Sequence, residues 1–379
     1  MDRIKRFIDC YIPTETCNLR CHYCYITQKR KFNSKIAEIG YSPEYVRQAL
    51  SKRRLGGVCL FNLCAGGETL LSDDVLPIVK ELLEEGHYVM IVTNGTLTKR
   101  FDEVIAWPYE ILKRLFFKFS FHYLEMKRLE WIDRFCSNVK KIKNAGISFT
   151  VEVTPSDELI PYIDELKHVC LDNFGALCHV TIARDDRTDG IDILSKYSFD
   201  EYKKIWGVFD SELFRFKSSI FYVHRNEFCY AGDWSLYLNL ITGRLTQCYC
   251  GRCLGNIYED IERPLLLAAV GKKCTQPHCY NGHAFLTLGD IPELTTPTYA
   301  EVRNRICSDG TEWLKPEMEH FMSTKLYESN NEYGIIKKMK MKLYTEKDWH
   351  ERLGRYNFYK KMSSVKKRIR NKTSDEKYK

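Results

Sequence analysis

The sequence predicts an α/β fold built on a parallel sheet, and two observations carry that expectation. Short apolar, β-branched runs alternate with longer amphipathic stretches through the first half of the chain, and polar or cysteine-bearing motifs recur just after the apolar runs. Parallel strands need a crossover between them, usually a helix, so this alternation is what strand–helix units look like in sequence. In such folds the chemistry gathers at the carboxyl ends of the strands, where loops vary over a fixed scaffold.

The predicted strands are Phe7–Ile12, Val58–Leu63, Tyr88–Thr93, Leu115–Phe121, Phe149–Val153 and His179–Ala183. Between them the periodicity predicts helices over Ser42–Lys52, which opens with Ser-Pro as helix starts do, Asp74–Glu85, Leu97–Ala106, Glu125–Asn144 and Ser156–Leu171. A charge-rich passage, Arg184 to Gly190, closes this region.

With 379 residues, 44% of them hydrophobic, the chain can bury a sizeable core in two or three domains. No stretch approaches the roughly 20 apolar residues of a membrane span. The first ten residues lack the apolar run of a signal peptide, so a cytoplasmic location is expected. Dense disulfides belong to small secreted domains, so the 16 cysteines point to metal or cluster ligation instead. Cys10, Cys59, Cys64, Cys136, Cys170 and Cys178 lie in or beside apolar runs and read as core. The net charge of +8 is uneven: residues 335–379 carry 16 Lys and Arg against 5 Asp and Glu, so the excess is all in the tail.

After the first strand comes Cys17-x3-Cys21-x2-Cys24, with Tyr23 before the third thiol. Three thiolates can hold three irons of a [4Fe–4S] cube and leave the fourth iron open to a reactant, whereas electron-transfer clusters usually take four cysteines. A zinc site with His22 as fourth ligand is the alternative, although structural zinc motifs usually come as two separated pairs. Ala65-Gly66-Gly67-Glu68-Thr69, Val92-Thr93-Asn94-Gly95 and Lys118-Phe119-Ser120-Phe121-His122 follow later strands, about 26 to 43 residues apart as strand–helix units space them. Together the four motifs resemble the radical S-adenosylmethionine (radical SAM) enzymes, over roughly residues 5 to 190.

That resemblance implies an incomplete six-unit (β/α)6 barrel of the TIM type. It makes Cys17, Cys21 and Cys24 the catalytic, cluster-ligating residues. S-adenosylmethionine would chelate the open iron, and the Gly66-Gly67-Glu68 backbone would hold its amino group. Glycine lets the backbone come close, and Glu68 would stabilise local cationic charge. By the same resemblance Tyr23 lies near the adenine, and Thr93, Asn94 and Ser120 contact the ribose or methionine part. Glu152 and Arg184, at the ends of strands five and six, are further candidate contacts. Thr93-Asn94-Gly95 also suits an ordinary strand-to-helix turn, and His122 could line the substrate cavity or serve structure alone.

A second group places Cys229, Cys248, Cys250, Cys253, Cys274 and Cys279 within 51 residues. Cys229-x-Ala231-Gly232, Gly243-x4-Cys248 and the late cysteine pair resemble the SPASM or shorter twitch extension of radical SAM enzymes. The resemblance implies a small cysteine-rich α+β domain with one auxiliary [4Fe–4S] cluster on Cys229, Cys248, Cys274 and Cys279. Cys250 and Cys253 remain unassigned: alternative ligands, a thiol hydrogen donor, or half of a zinc site. The expected division is a barrel over 1–195, a linker or bridging helix over 196–218, the auxiliary domain over 219–310 and a basic, mainly helical tail over 311–379.

Basic residues interleaved with apolar ones near Lys337–Lys342 and Lys360–Arg370 could touch an anionic surface or partner, or form a solvated helix. SPASM and twitch enzymes mostly modify peptides, and some oxidise small alcohols. Sixteen residues precede Cys17, so the leader-binding domain of many peptide-modifying members is expected to be absent and a discrete partner could replace it. The leading expectation is oxidation or cross-linking of a peptide, with an electron donor such as flavodoxin or ferredoxin. Its rivals are a dehydrogenase or epimerase of a carbohydrate or small alcohol, and a non-catalytic metal-bound adaptor.

Overall fold

The computed structural model describes residues 2–249, 251–272, 274–280 and 282–343. These residues fall into two units that divide between Asn331 and Glu332. The first is organised by one nine-stranded sheet in the order β6-β5-β4-β3-β2-β1-β7-β8-β9. The strands are β1 (Arg6–Ile12), β2 (Cys59–Ala65), β3 (Tyr88–Thr93), β4 (Leu115–Ser120), β5 (Ser148–Val153), β6 (His179–Val180), β7 (Ser235–Asn239), β8 (Arg244–Thr246) and β9 (Cys253–Asn256). Strands β1 to β6 pair in parallel, each beside its predecessor, and the sheet is open, with β6 and β9 as its edges.

Register divides the side chains into two faces, because paired residues project to the same side. One face carries Ile8, Phe61, Val89, Leu63, Ile91, Phe117 and Phe149, all buried and apolar. Helices cover it: Phe101 of the helix Thr98–Ile105 meets Phe117 at 5.5 Å, and Phe135 of the helix Ile132–Asn144 stacks on Phe121 at 4.4 Å. The other face carries Asp9 opposite Asn62, Lys118 opposite Thr150, and Ser120 opposite Glu152. Burial of so many polar groups on one face marks the interior where the site lies.

The six predicted strands form within one or two residues of their expected ends, β6 being shorter. Three predicted helices are interrupted. Ser42–Lys52 becomes Pro43–Ala49, capped by Ser42 accepting from the Tyr45 N–H at 3.2 Å, followed by a separate turn Lys52–Leu55. Glu125–Asn144 breaks at Glu130, which takes a left-handed φ of 59°, between Tyr123–Arg128 and Ile132–Asn144. Ser156–Leu171 starts as a tight turn, Asp157–Tyr162, and becomes α-helical only at Ile163–Phe174. Pro161 lacks the N–H that an α-helix would use there.

The cysteine-rich region begins as an extension of the same sheet, since β7 runs parallel to β1 and β8 and β9 follow antiparallel. Residues 299–324 close the amino-terminal end of the strands. Phe321 stacks on Tyr88 at 3.7 Å, the Phe149 N–H donates to the Trp313 carbonyl at 3.1 Å, and the Ile4 N–H donates to Thr324 Oγ1 at 3.2 Å. The stretch from Thr311 to Asn331, read from sequence with the basic tail, thus packs within the first unit. In the second unit, the helix Ile335–Leu343 follows Tyr333, whose ring lies 3.5 Å from Lys337 Nζ. The basic run Lys360–Arg370 lies outside the described residues. No helix among the described residues is long and apolar enough to cross a membrane.

Candidate functional site

Beyond Ile12 the chain bends alongside the loop that follows β2. Three N–H groups of that loop bond to it: Gly66 to the Ile12 carbonyl at 2.9 Å, Gly67 to that of Thr14 at 2.5 Å and Glu68 to that of Thr16 at 3.0 Å. A Cβ on Gly67 would overlap the Thr16 carbonyl, and one on Gly66 would sit 2.8 Å from the Thr14 carbonyl. The two glycines therefore let the cysteine loop approach β2.

Glu68 is 2% exposed, and its carboxylate is fully engaged. It accepts from Thr93 Oγ1 at 2.6 Å, from the Asn94 N–H at 2.7 Å and from the Leu70 N–H at 3.0 Å. Burial raises its pKa, and these three donors oppose the rise. The carboxylate straps the end of β2 to the end of β3. Asn94 is held in turn: its Oδ1 accepts from the Thr96 N–H at 3.2 Å, its Nδ2 donates to Asn18 Oδ1 at 2.7 Å, and the same Nδ2 lies 3.8 Å from Cys17 Sγ.

Cys17, Cys21 and Cys24 line one cavity of about 80 Å³ together with Gly66, Gly67, Glu68, Thr93, Asn94, Ser120 and His122. Burial pushes the Cys17 thiol up to about 11, and burial followed by the charges of its neighbouring thiols raises that of Cys21 further. Without a metal these are thiols at neutral pH, so ligation must displace their protons. Tyr23 does not line this cavity; its hydroxyl lies 2.7 Å from Nδ1 of His122, which does. Burial lowers His122 to about 4, which keeps it neutral.

A second cavity, of about 60 Å³, is lined by Cys229, Cys248, Cys274 and Cys279 among apolar side chains including Val270, Phe285, Leu286 and Ile291. Cys229 is fixed by two backbone bonds to Gly271, at 3.1 and 2.9 Å. A Cβ on Gly282 would overlap Cys279 Sγ. Cys253 lies on β9, outside this lining, with Sγ 3.8 Å from the Gly255 carbonyl, and Cys250 lies outside the described residues. Tyr249 lines the same cavity and donates its hydroxyl to Asp9 on β1.

Residues 11–155 match the family model of the Radical SAM superfamily. The chain carries a radical SAM domain. Within the curated proteins, 7-carboxy-7-deazaguanine synthase of Thermoplasma acidophilum is 32% identical over 90 residues, which make up 24% of this chain and 39% of that protein. Among solved structures, SuiB of Streptococcus suis bound to S-adenosylmethionine is 16% identical with a TM-score of 0.48, over 69% of this chain and 65% of that one. Native anSMEcpe with bound AdoMet is 15% identical with a TM-score of 0.44, over 67% of this chain and 78% of that one.

The radical SAM match over residues 11–155 implies a [4Fe–4S] cluster and S-adenosylmethionine, and that domain has a donor set of the right chemistry: three thiols at one cavity with polar groups lining it. Nine of the predicted site residues of this domain line that cavity, namely the three cysteines, Gly66, Gly67, Glu68, Thr93, Asn94 and Ser120. Tyr23, Glu152 and Arg184 do not. Glu152 is ion-paired with Lys118, 3.2 Å away, and with Arg303. Arg184 lies over the Tyr280 ring at 5.1 Å and 4.0 Å from Asp186.

Sequence reasoning missed the polar interior of the radical SAM domain. Asn62 Nδ2 donates to Asp9 Oδ1 at 2.6 Å. Burial, followed by Arg303, lowers Lys118 to about 7. Lys217 and Arg303 are buried as well. The available signal was the alternation within strands, as in Phe117-Lys118-Phe119-Ser120, where polar residues recur at every second position.

Proposed function

We propose that the chain is a radical SAM enzyme that removes a hydrogen atom from a peptide and completes an oxidative modification or cross-link. What supports the reading is the occurrence, in one compact unit, of a three-thiol cavity beside the glycine–glutamate loop and a four-thiol apolar cavity. A [4Fe–4S] cluster on Cys17, Cys21 and Cys24 would supply the electron that cleaves S-adenosylmethionine to a 5′-deoxyadenosyl radical. A second cluster on Cys229, Cys248, Cys274 and Cys279 would accept the electron that an oxidised substrate gives up.

The chain's own residues set the conditions for that chemistry. Asn94 turns an N–H toward Cys17 Sγ, a contact that would tune a thiolate ligand. Glu68 and the two glycines fix the cysteine loop against β2. Leu19, Ile26, Phe32 and Val92 line the first cavity with apolar surface that excludes water from a reactive intermediate. Thr93, Asn94 and Ser120 offer polar contacts to the bound nucleoside or amino acid part. A low-potential donor of the flavodoxin or ferredoxin class would deliver the initiating electron.

The test is 5′-deoxyadenosine release from anaerobically iron-loaded protein given dithionite and S-adenosylmethionine. Wild type should form it slowly without substrate, and the variant with Cys17, Cys21 and Cys24 all changed to Ala should form none. Iron-loaded wild type that binds S-adenosylmethionine but never cleaves it would overturn the proposal.

A further inference from the structure

Four basic groups lie close enough on the polar side of the sheet to act on one another electrostatically: Lys118, Arg184, Lys217 and His283. Lys118 belongs to β4, two residues before Ser120 of the first cavity, and Arg184 lies over the ring of Tyr280, which lines the second. Lys217 comes from the helix Glu212–Ile220, which packs on β6 and on the helix Gly282–Thr287, the source of His283. Lys217 is 6% exposed, and its ammonium donates to Thr181 Oγ1 at 2.6 Å, just past the end of β6. His283 Nδ1 is buried with no hydrogen-bond partner among the described residues.

Two of the four groups already face carboxylates, Lys118 facing Glu152 and Arg184 facing Asp186, which leaves Lys217 and His283. Glu152 is held by Arg303 and Lys118, Asp9 by Tyr249 and Asn62, and Asp186 lies by Arg184. Among the described residues no carboxylate ion-pairs with Lys217. A buried ammonium without a counterion is unfavourable and sheds its proton unless something supplies negative charge. Burial, then Arg184 and Lys118, hold Lys217 well below its ordinary value, and burial, then Lys217, Lys118 and Arg184, lower His283. Groups kept at such a disadvantage are what a binding site retains at the expense of stability.

We propose that Lys118, Arg184, Lys217 and His283 receive an anionic group of the substrate, a carboxylate or a phosphate. The assignment of that anion to a substrate rests on the radical SAM reading; the binding of an anion does not.

The test is thermal unfolding of the anaerobically iron-loaded full chain with succinate, inorganic phosphate or chloride, at constant ionic strength. Wild type should be stabilised saturably by succinate or phosphate beyond chloride, as ligand linkage requires, and the stronger of the two identifies the anion class. Lys217→Met should lose that response while unfolding no lower than wild type without anion, because the cost of burying and deprotonating the lysine has gone. Lys217→Arg should retain the response, as should Lys203→Met in the helix Phe199–Trp206. An undiminished response in Lys217→Met, none in wild type, or a lower anion-free unfolding temperature in Lys217→Met would overturn the proposal. So would weaker S-adenosylmethionine binding by Lys217→Met, which would give the cluster to the cofactor. Failure of wild type to form 5′-deoxyadenosine would remove the radical reading and leave the anion response standing.

Discussion

Replacing Glu68 with Gln separates a strap from a cofactor contact. The carboxylate accepts three hydrogen bonds in a fully buried place, two on Oε1 and one, from the Asn94 N–H, on Oε2. An amide that keeps its oxygen at the first position turns an –NH2 toward the Asn94 N–H, donor against donor. Loss of a hydrogen bond to a charged acceptor costs about 1.5–3 kcal/mol, and relief from burying a charge offsets part of it. A net loss of about 2 kcal/mol corresponds to about 3 °C, because a unit spanning Met1–Asn331 has an unfolding entropy of about 0.7 kcal/mol/K. The assay is thermal unfolding of metal-free, reduced protein, wild type against Glu68→Gln, followed by S-adenosylmethionine binding to the iron-loaded forms. An unchanged unfolding temperature without metal, combined with lost cofactor binding, would refute the strap and return Glu68 to the cofactor.

Gly67→Ala should destabilise the metal-free protein by about 1–3 kcal/mol, as overpacking does, because its Cβ meets the Thr16 carbonyl; iron uptake at the first site should fall with it. Cys248→Ala should lose the iron of the second site, whereas Cys253→Ala should keep it, as iron analysis of the two variants will report. Lys118 is held at about 7, below its ordinary value of 10.5, so above neutrality the unfolded chain binds more protons than the native one. Stability should therefore rise as pH goes from about 7 towards 8.5, before thiols titrate, and denaturant unfolding of Lys118→Met should show a flatter slope.

The elements that place the site were readable in sequence because each strand of the sheet carries its own apolar run and each motif follows one. β3 was located to the residue, and the cysteines, Gly66, Gly67, Glu68, Thr93, Asn94 and Ser120 meet because four adjacent strands end side by side. The breaks at Glu130 and Pro161 were hidden by amphipathic periodicity that continues across them. β7 to β9 were not anticipated, since they are short and the cysteines drew attention from their pattern. The interior charges were harder still. Arg303 reaches Glu152 across 151 positions of chain, and Lys217 acquires its setting from a helix, β6 and the segment around His283. Local sequence carries no trace of such encounters; only alternation within β1, β2, β4 and β5 announces that one face of the sheet is polar.

The central claim is that two separate cysteine-lined cavities each hold an iron–sulfur cluster, and iron and zinc analysis with EPR of the dithionite-reduced protein tests it most directly. Wild type should bind about eight irons per chain and little zinc, with a spectrum that changes on adding S-adenosylmethionine. The Cys17, Cys21, Cys24 triple Ala variant and the Cys248→Ala variant should each lose about half the iron, and only the triple variant should lose the response to S-adenosylmethionine. Zinc in place of iron, or iron whose spectrum ignores S-adenosylmethionine, would contradict the account.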